Sequence, residues 1–267
     1  MNLKRILTGI IGLPIVAAIL ILGNKYIIDV LFAIVAEISI YEYFNAISKK
    51  YKPVRFIGYI AAALIAFMHV IPIEILTKIA IIFIPTSIVI LFLNIIITSM
   101  KIEPKDIFAT FFGICYIVGF ILFLPMLYAT TNGKFLIWYI LIAAWGTDTF
   151  AYAVGRRLGK HKLTTISPKK SIEGSIGGTI GTIILALAYT YIVQKYVDLN
   201  LSFTLVTVAT LVLSLLSQIG DLAASSIKRE MEVKDYGNLL PGHGGMLDRI
   251  DSMIFIAPFA YFLLILL

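Results

Sequence analysis

The chain has 267 residues, of which 60% are hydrophobic and only 14% charged, and its formal net charge is +7. Soluble domains are nearer half apolar and carry about a quarter charged residues, so a water-soluble globular fold is excluded. The single cysteine, Cys115, excludes an intramolecular disulfide and a cysteine-built zinc site.

Nine apolar stretches follow one another, over roughly 5–23, 26–47, 56–73, 76–99, 107–129, 135–154, 175–194, 202–226 and 247–267. The third is the shortest. Runs such as 79–97 are continuously apolar, whereas strands of a membrane barrel alternate. The spans are therefore read as helices, whose backbone groups are satisfied internally. Lys4 and Arg5 precede the first stretch as in a signal peptide, but no small-x-small cleavage site follows before Leu22, which predicts an uncleaved first helix. The expectation is an all-α integral membrane protein, a polytopic bundle of about nine transmembrane helices. It forms one membrane domain over 1–267, with a helical scaffold over 1–130 and a catalytic region over 131–267. The longest polar loops are 155–174 and 227–246.

Cation placement orients this topology. With the N-terminus in the cytoplasm, the outer loops hold only Lys25, Lys78, Lys134 and Lys195. The other 18 of the 22 cations (22 less these four) fall inside, as the positive-inside rule requires. Both long loops are thereby predicted to be cytoplasmic. The positive charge reflects orientation and suits anionic lipid headgroups; it gives no reason to expect nucleic acid.

The polar residues within or beside the spans are the candidates for chemistry. Glu37 and Glu42 lie in the second span, with Glu42 near its cytoplasmic end, where a nearby lysine could pair with it. His69 is expected at an interface or in the core. Asp148 sits late in the sixth span, and an acid at such depth is a functional candidate by default. The following loop holds Arg156, Arg157, Lys160 and Lys162, then Ser167-Pro168-Lys169-Lys170-Ser171-Ile-Glu-Gly174. Ser167-Pro168 reads as a helix N-cap with proline at the first helical position. Lys169, Lys170 and Ser171 would then cluster in the first turns and could bind phosphate. Gly174/Gly178 and Gly177/Gly181 form small-xxx-small pairs, which usually mark helix packing.

The densest cluster follows. Asp221, Ser225 and Lys228 recur at i, i+4 and i+7, so one helix face presents all three. Asp248 and Asp251 share a face at i, i+3. Between them lies Pro241-Gly-His243-Gly244-Gly245, a turn whose N–H groups could face an anion at the start of the last helix. Two carboxylates on different helices, with phosphate-binding groups nearby, suit Mg²⁺, which takes one or two carboxylates plus waters and substrate phosphate. His243, among charges in the glycine turn, is read as a ligand contact.

These residues resemble the phosphatidate cytidylyltransferase (CDP-diacylglycerol synthase) family. Its C-terminal signature is matched by Ser225, Ile227, Lys228-Arg229, Lys234-Asp235, Pro241, His243-Gly244-Gly245, Met246, Asp248-Arg249, Ile250 and Asp251. The Ser167–Gly174 run is similar to the family's Ser-Pro-Lys-Lys motif, and Gly146–Asp148 and Tyr41-Glu42-Tyr43 match further features more loosely. The motifs cover residues 145–251; the first 130 residues match mainly as hydrophobic spans. The resemblance implies transfer of the cytidylyl group from CTP to phosphatidic acid, dependence on Mg²⁺, a homodimer, and a bacterial inner-membrane location with the site facing the cytoplasm. Functional aspartates would be Asp221, Asp248, Asp148 and Asp251, holding metal. Lys228, Arg229, Lys234 and Arg249 would hold phosphates; Lys169, Lys170, Ser171, Ser225, Asp235, His243, Gly244 and Gly245 would contact substrate. The number of metal ions, and whether a monovalent cation assists, stay open at this point. Two alternatives also stand: a CTP-dependent kinase of polyprenol or phytol, and an ion-coupled transporter.

Overall fold

A computed structural model describes residues 3–197, 199–239, 242 and 244–265. Nine helical segments stand among the described residues: α1 (Leu3–Leu22), α2 (Lys25–Ile47), α3 (Arg55–Phe67, its end a 3₁₀ turn), α4 (Ile73–Ile97), α5 (Pro104–Tyr128), α6 (Gly133–Leu158), α7 (Ile172–Tyr196), α8 (Phe203–Glu230) and α9 (Leu247–Ile265). Five of them, α4 to α8, are long and apolar enough to cross a membrane. An isolated antiparallel bridge joins Lys162 and Ser171.

The chain forms two compact units. The first comprises Met1–Pro125 and Met231–Arg249; the second comprises Met126–Glu230 and Ile250–Leu267.

In the first unit α2 is the central element. Ile28, Ala36, Ile40 and Phe44 are wholly buried, and Gly58 of α3 lies against Phe44 and Ile40 with no room for a side chain. Asn24 caps α2, its Oδ1 accepting from the amides of Tyr26 and Ile27 at 3.1 and 3.0 Å. Asp106 starts α5. It accepts from the Glu103 amide at 2.8 Å and the Lys52 amide at 2.9 Å, so one buried carboxylate caps a helix and pins the α2–α3 loop to it. His69 is part-buried and ion-paired, its Nδ1 2.7 Å from Asp29.

In the second unit α6 and α7 pack at backbone distance. A Cβ on Gly178 would stand 2.9 Å from Ala151 Cβ, and one on Gly174 would stand 2.8 Å from the Ala151 carbonyl oxygen. Lipid tails are as apolar as leucine, so helix association in a membrane depends on such close packing and on interhelical hydrogen bonds. A π turn over Ile142–Gly146 interrupts α6. Such turns hold an extra residue and shift the faces that follow. Directly after it Thr147 is buried and Asp148 is exposed.

The helix at 172 begins later than the Ser167-Pro168 pair predicts. Ser167 and Lys170 close a turn, the Lys170 amide donating to the Ser167 carbonyl, and Ser171 is the N-cap, its Oγ accepting from the Gly174 amide at 3.1 Å. Pro168, Lys169 and Lys170 therefore precede α7, and Ser171 uses its hydroxyl as a cap.

Replacing Gly178 with leucine is expected to force α6 and α7 apart and destabilise the protein by about 1–3 kcal/mol, the usual cost of overpacking. A thermal melt in detergent, with Gly178→Ala as the smaller step, measures it; an unchanged midpoint for the leucine variant would refute the close-packing account.

Candidate active site

In the second unit the predicted face of α8 forms as expected: Asp221 and Ser225 are half-buried and Lys228 is buried. Lys170 Nζ pairs with Asp221 Oδ2. Lys228 Nζ lies 4.0 Å from Oδ2 of Asp251, which is itself only 5% exposed. Asp251 also feels the like charges of Asp221 and Asp148. Three of the four predicted metal-binding aspartates thus share one electrostatic neighbourhood, and two lysines offset their repulsion. Without such partners, burying Asp251 beside two like charges would be costly. Arg229 is exposed at the rim. It lines a cavity of about 590 Å³ with Thr165, Ile166, Pro168, Ser226 and Glu230. Lys169 is exposed on the adjoining turn.

A ladder of side-chain hydrogen bonds backs this cluster, and it has no counterpart in the sequence reading. Thr147 Oγ1 donates to Ser214 at 2.8 Å and lies 3.1 Å from Thr182. Ser214 donates to Thr179 at 3.1 Å; Gln218 Nε2 donates to the same threonine at 3.1 Å, and its Oε1 accepts from Ser175. The ladder ties α6, α7 and α8 together behind Asp221. Its signal is visible in retrospect: Ser214, Gln218 and Asp221 are spaced i, i+4, i+7, and Ser175, Thr179 and Thr182 repeat that spacing on α7.

The glycine turn belongs to the first unit. Gly244 has φ +86°, a left-handed conformation that side chains rarely adopt, and a Cβ there would stand 3.0 Å from Asp248 Oδ2. The turn's amides do face anions, but these belong to the protein. Gly245 and Tyr236 donate to Asp248 Oδ2 at 3.0 and 2.8 Å. Met246 and Leu247 donate to the two carboxylate oxygens of Glu42 at 3.0 and 2.8 Å. The Gly245 amide is engaged by Asp248. One expectation is corrected. Glu42, expected beside a lysine, instead occupies the N-terminal anion site of α9, where amides and helix dipole favour a carboxylate. Lys234, Asp235 and Arg249 are exposed around the turn. Pro241 and His243 lie outside the described residues.

The family model "Cytidylyltransferase family" matches residues 3–267. A phosphatidate cytidylyltransferase of Staphylococcus haemolyticus is 39% identical over 272 residues, covering 98% of each chain. A Bacillus subtilis protein of the same name is 33% identical, covering 98% of this chain and 97% of its own. One from Staphylococcus aureus strain COL is 38% identical over 273 residues.

Glu42→Ala is expected to leave the Met246 and Leu247 amides without acceptors, at about 1–3 kcal/mol for each buried group. Hydrogen exchange over residues 236–247 reads this directly: protection falls in the alanine variant and less in Glu42→Gln, which keeps one acceptor oxygen. Unchanged exchange in both would show that Glu42 does not hold the turn.

Proposed function

The chain belongs to the cytidylyltransferase family, and on that premise we propose that it makes CDP-diacylglycerol from CTP and phosphatidic acid, releasing pyrophosphate. The observation that carries this reading is the full-length match to phosphatidate cytidylyltransferases; the acid–base cluster of the second unit fits the chemistry. A phosphate oxygen of phosphatidate attacks the α-phosphorus of CTP, the bond to the β-phosphate oxygen breaks, and that oxygen leaves as pyrophosphate. No proton need be removed by a strong base, because a phosphate monoester has a second pKa of about 6 and is largely ionised at neutral pH.

The donor set suits Mg²⁺. Asp221, Asp251 and Asp148 offer hard carboxylate oxygens in one neighbourhood. Among the described residues no group of three or more metal-ligating side chains converges, so phosphate and water would complete the shell, as Mg²⁺ prefers. Bound there, the ion would neutralise charge developing on the transferred phosphoryl oxygens. Lys228 and Lys170 would turn toward phosphate oxygens, and Arg229 and Lys169 would meet phosphate from the rim. Asp248 holds the turn through Oδ2, and this reading keeps it among the metal-binding aspartates, as the resemblance implies. Lys234 and Arg249 remain cations for phosphate on the turn of the first unit.

The protein is an integral membrane protein. We place its N-terminus, both long loops and the reaction on the cytoplasmic side of a bacterial inner membrane, with nine spans, on the strength of the cation asymmetry. The homodimer rests on the resemblance.

The test supplies purified protein with α-labelled CTP, phosphatidate and Mg²⁺, with an EDTA control. Label is expected to enter lipid, matched by pyrophosphate. CDP release with a lipid alcohol would make the protein a kinase, and metal-dependent lipid labelling that fails altogether would overturn the assignment. In the same assay Asp221→Asn is expected to lose at least about a hundredfold in turnover, the scale of removing one preorganised charge-stabilising group, while its thermal midpoint stays near that of the parent.

A further inference from the structure

In the second unit the loop between α6 and α7 folds back on itself as a short hairpin. Two backbone bonds form its ladder: the Ile172 amide donates to the His161 carbonyl at 3.0 Å, and the Leu163 amide donates to the Lys170 carbonyl at 2.9 Å. Near its tip the Lys170 amide donates to the Ser167 carbonyl at 3.0 Å. Both backbone groups of Lys170 are therefore engaged inside the hairpin, whose shape decides where the lysine side chain starts. That side chain pairs with Asp221. The same tip supplies Thr165, Ile166 and Pro168 to the wall of the cavity that Arg229 lines.

A two-stranded hairpin is marginal on its own, and so short a ladder needs further support. Glu173 closes its open end. Its Oε2 accepts from the Lys160 amide at 3.1 Å, and both carboxylate oxygens lie 3.3 Å from the His161 amide nitrogen. Nδ1 of His161 lies 2.6 Å from Oε1; an ionised carboxylate only accepts, so Nδ1 is the donor. Charge-assisted bonds of this kind are about twice as strong as neutral ones. Helix capping does not account for this arrangement. Ser171 already caps α7 through the Gly174 amide, while the Glu173 carboxylate reaches back to the residues that start the hairpin. The resemblance gives neither His161 nor Glu173 a role.

We propose that Glu173, with His161, is a positioning residue for the transfer: by closing the hairpin it holds Lys170 where the lysine can meet Asp221 and a substrate phosphate. The inference rests on the cluster of Asp221, Asp251, Lys170 and Lys228 being the reacting site. Glu173 acts through Lys170, not on substrate. An open hairpin would leave Lys170 to its own flexible stem and would displace one wall of the cavity. The cations that face phosphate would then lose the geometry that the fold prepares for them, and positioning of that kind supplies much of the rate of such reactions.

A double-mutant cycle on the full chain in the lipid-labelling assay, with thermal midpoints as controls, tests it. Glu173→Ala should lower kcat/KM for CTP by about ten- to a hundredfold, up to the scale of a group misplaced by about 1 Å. Glu173→Gln, which keeps one acceptor oxygen, and His161→Ala should each lose less, and they decide the matter if the alanine variant does not fold. Lys170→Ala should lose at least as much as Glu173→Ala, and adding Glu173→Ala to it should cost little more, because residues that act as one unit are not additive. A purely structural role would give additive losses with a fallen midpoint. Hydrogen exchange supplies a readout free of activity: protection over residues 160–172 should fall in Glu173→Ala while that of α8 holds. Inactivity of the wild type toward CTP overturns the functional reading, and this role with it. An active wild type with additive losses, a fully active Lys170→Ala variant, or Glu173 variants of unchanged kcat/KM overturns the positioning role alone. Unchanged exchange in Glu173→Ala overturns the closing contact whatever the activity.

Discussion

A carboxylate carried out of water into a helical bundle must find donors or give up its charge. Five are buried among the described residues, and each meets a donor from its own unit. Asp29 has His69, Glu42 has the Met246 and Leu247 amides, Asp106 has the Lys52 and Glu103 amides, Asp248 has the Tyr236 and Gly245 amides, and Asp251 has the Ser252 amide and Lys228. Three of these acids fasten a loop or helix start to a neighbouring segment. In a bundle whose outer surface gains little from contact between apolar faces, these charge-assisted bonds, each about twice as strong as a neutral one, set where the polar segments lie.

The helices were legible because continuous apolar runs of membrane length admit few other structures. The run read over 76–99 becomes α4 at Ile73–Ile97, and that read over 202–226 becomes α8 at Phe203–Glu230. The face of Asp221, Ser225 and Lys228 followed from helical spacing alone. The start of α7 did not, because Ser167-Pro168 and Ser171 both carry capping chemistry and only the turn that closes from Ser167 to Lys170 decides between them. Glu42 was unreadable for another reason. Its acceptor geometry is completed 204 and 205 residues away, and no local pattern signals a contact of that separation. The hydroxyl ladder sits between these cases: its spacing is written on α7 and α8, but Ser and Thr in apolar helices also bond their own backbone, as Thr190 does to Ala186.

The same rule shapes the chemistry proposed for the second unit. Asp221 with Lys170, and Asp251 with Lys228, form pairs in which each partner satisfies the other's charge. A metal-bound triphosphate carries both signs itself, so its arrival permits an exchange. The carboxylates would hold the cation and the lysines phosphate oxygens, and the balance of charge would hardly change. Such an exchange avoids exposing an uncompensated charge at any stage, which is the costly event in a low-dielectric setting. It also explains why lysine suits these positions. A flexible stem with a compact ammonium can swing from carboxylate to phosphate, whereas the rigid fork of arginine favours one fixed bidentate partner. Arg229 stands accordingly at the exposed rim, where a phosphate would arrive from water or from the lipid surface. The ladder behind Asp221 supplies the complement to that mobility. With Gln218 and Ser214 held by Thr179 and Thr147, α8 would keep its register if the lysines changed partners, and the carboxylates would meet a metal at positions the fold has already set.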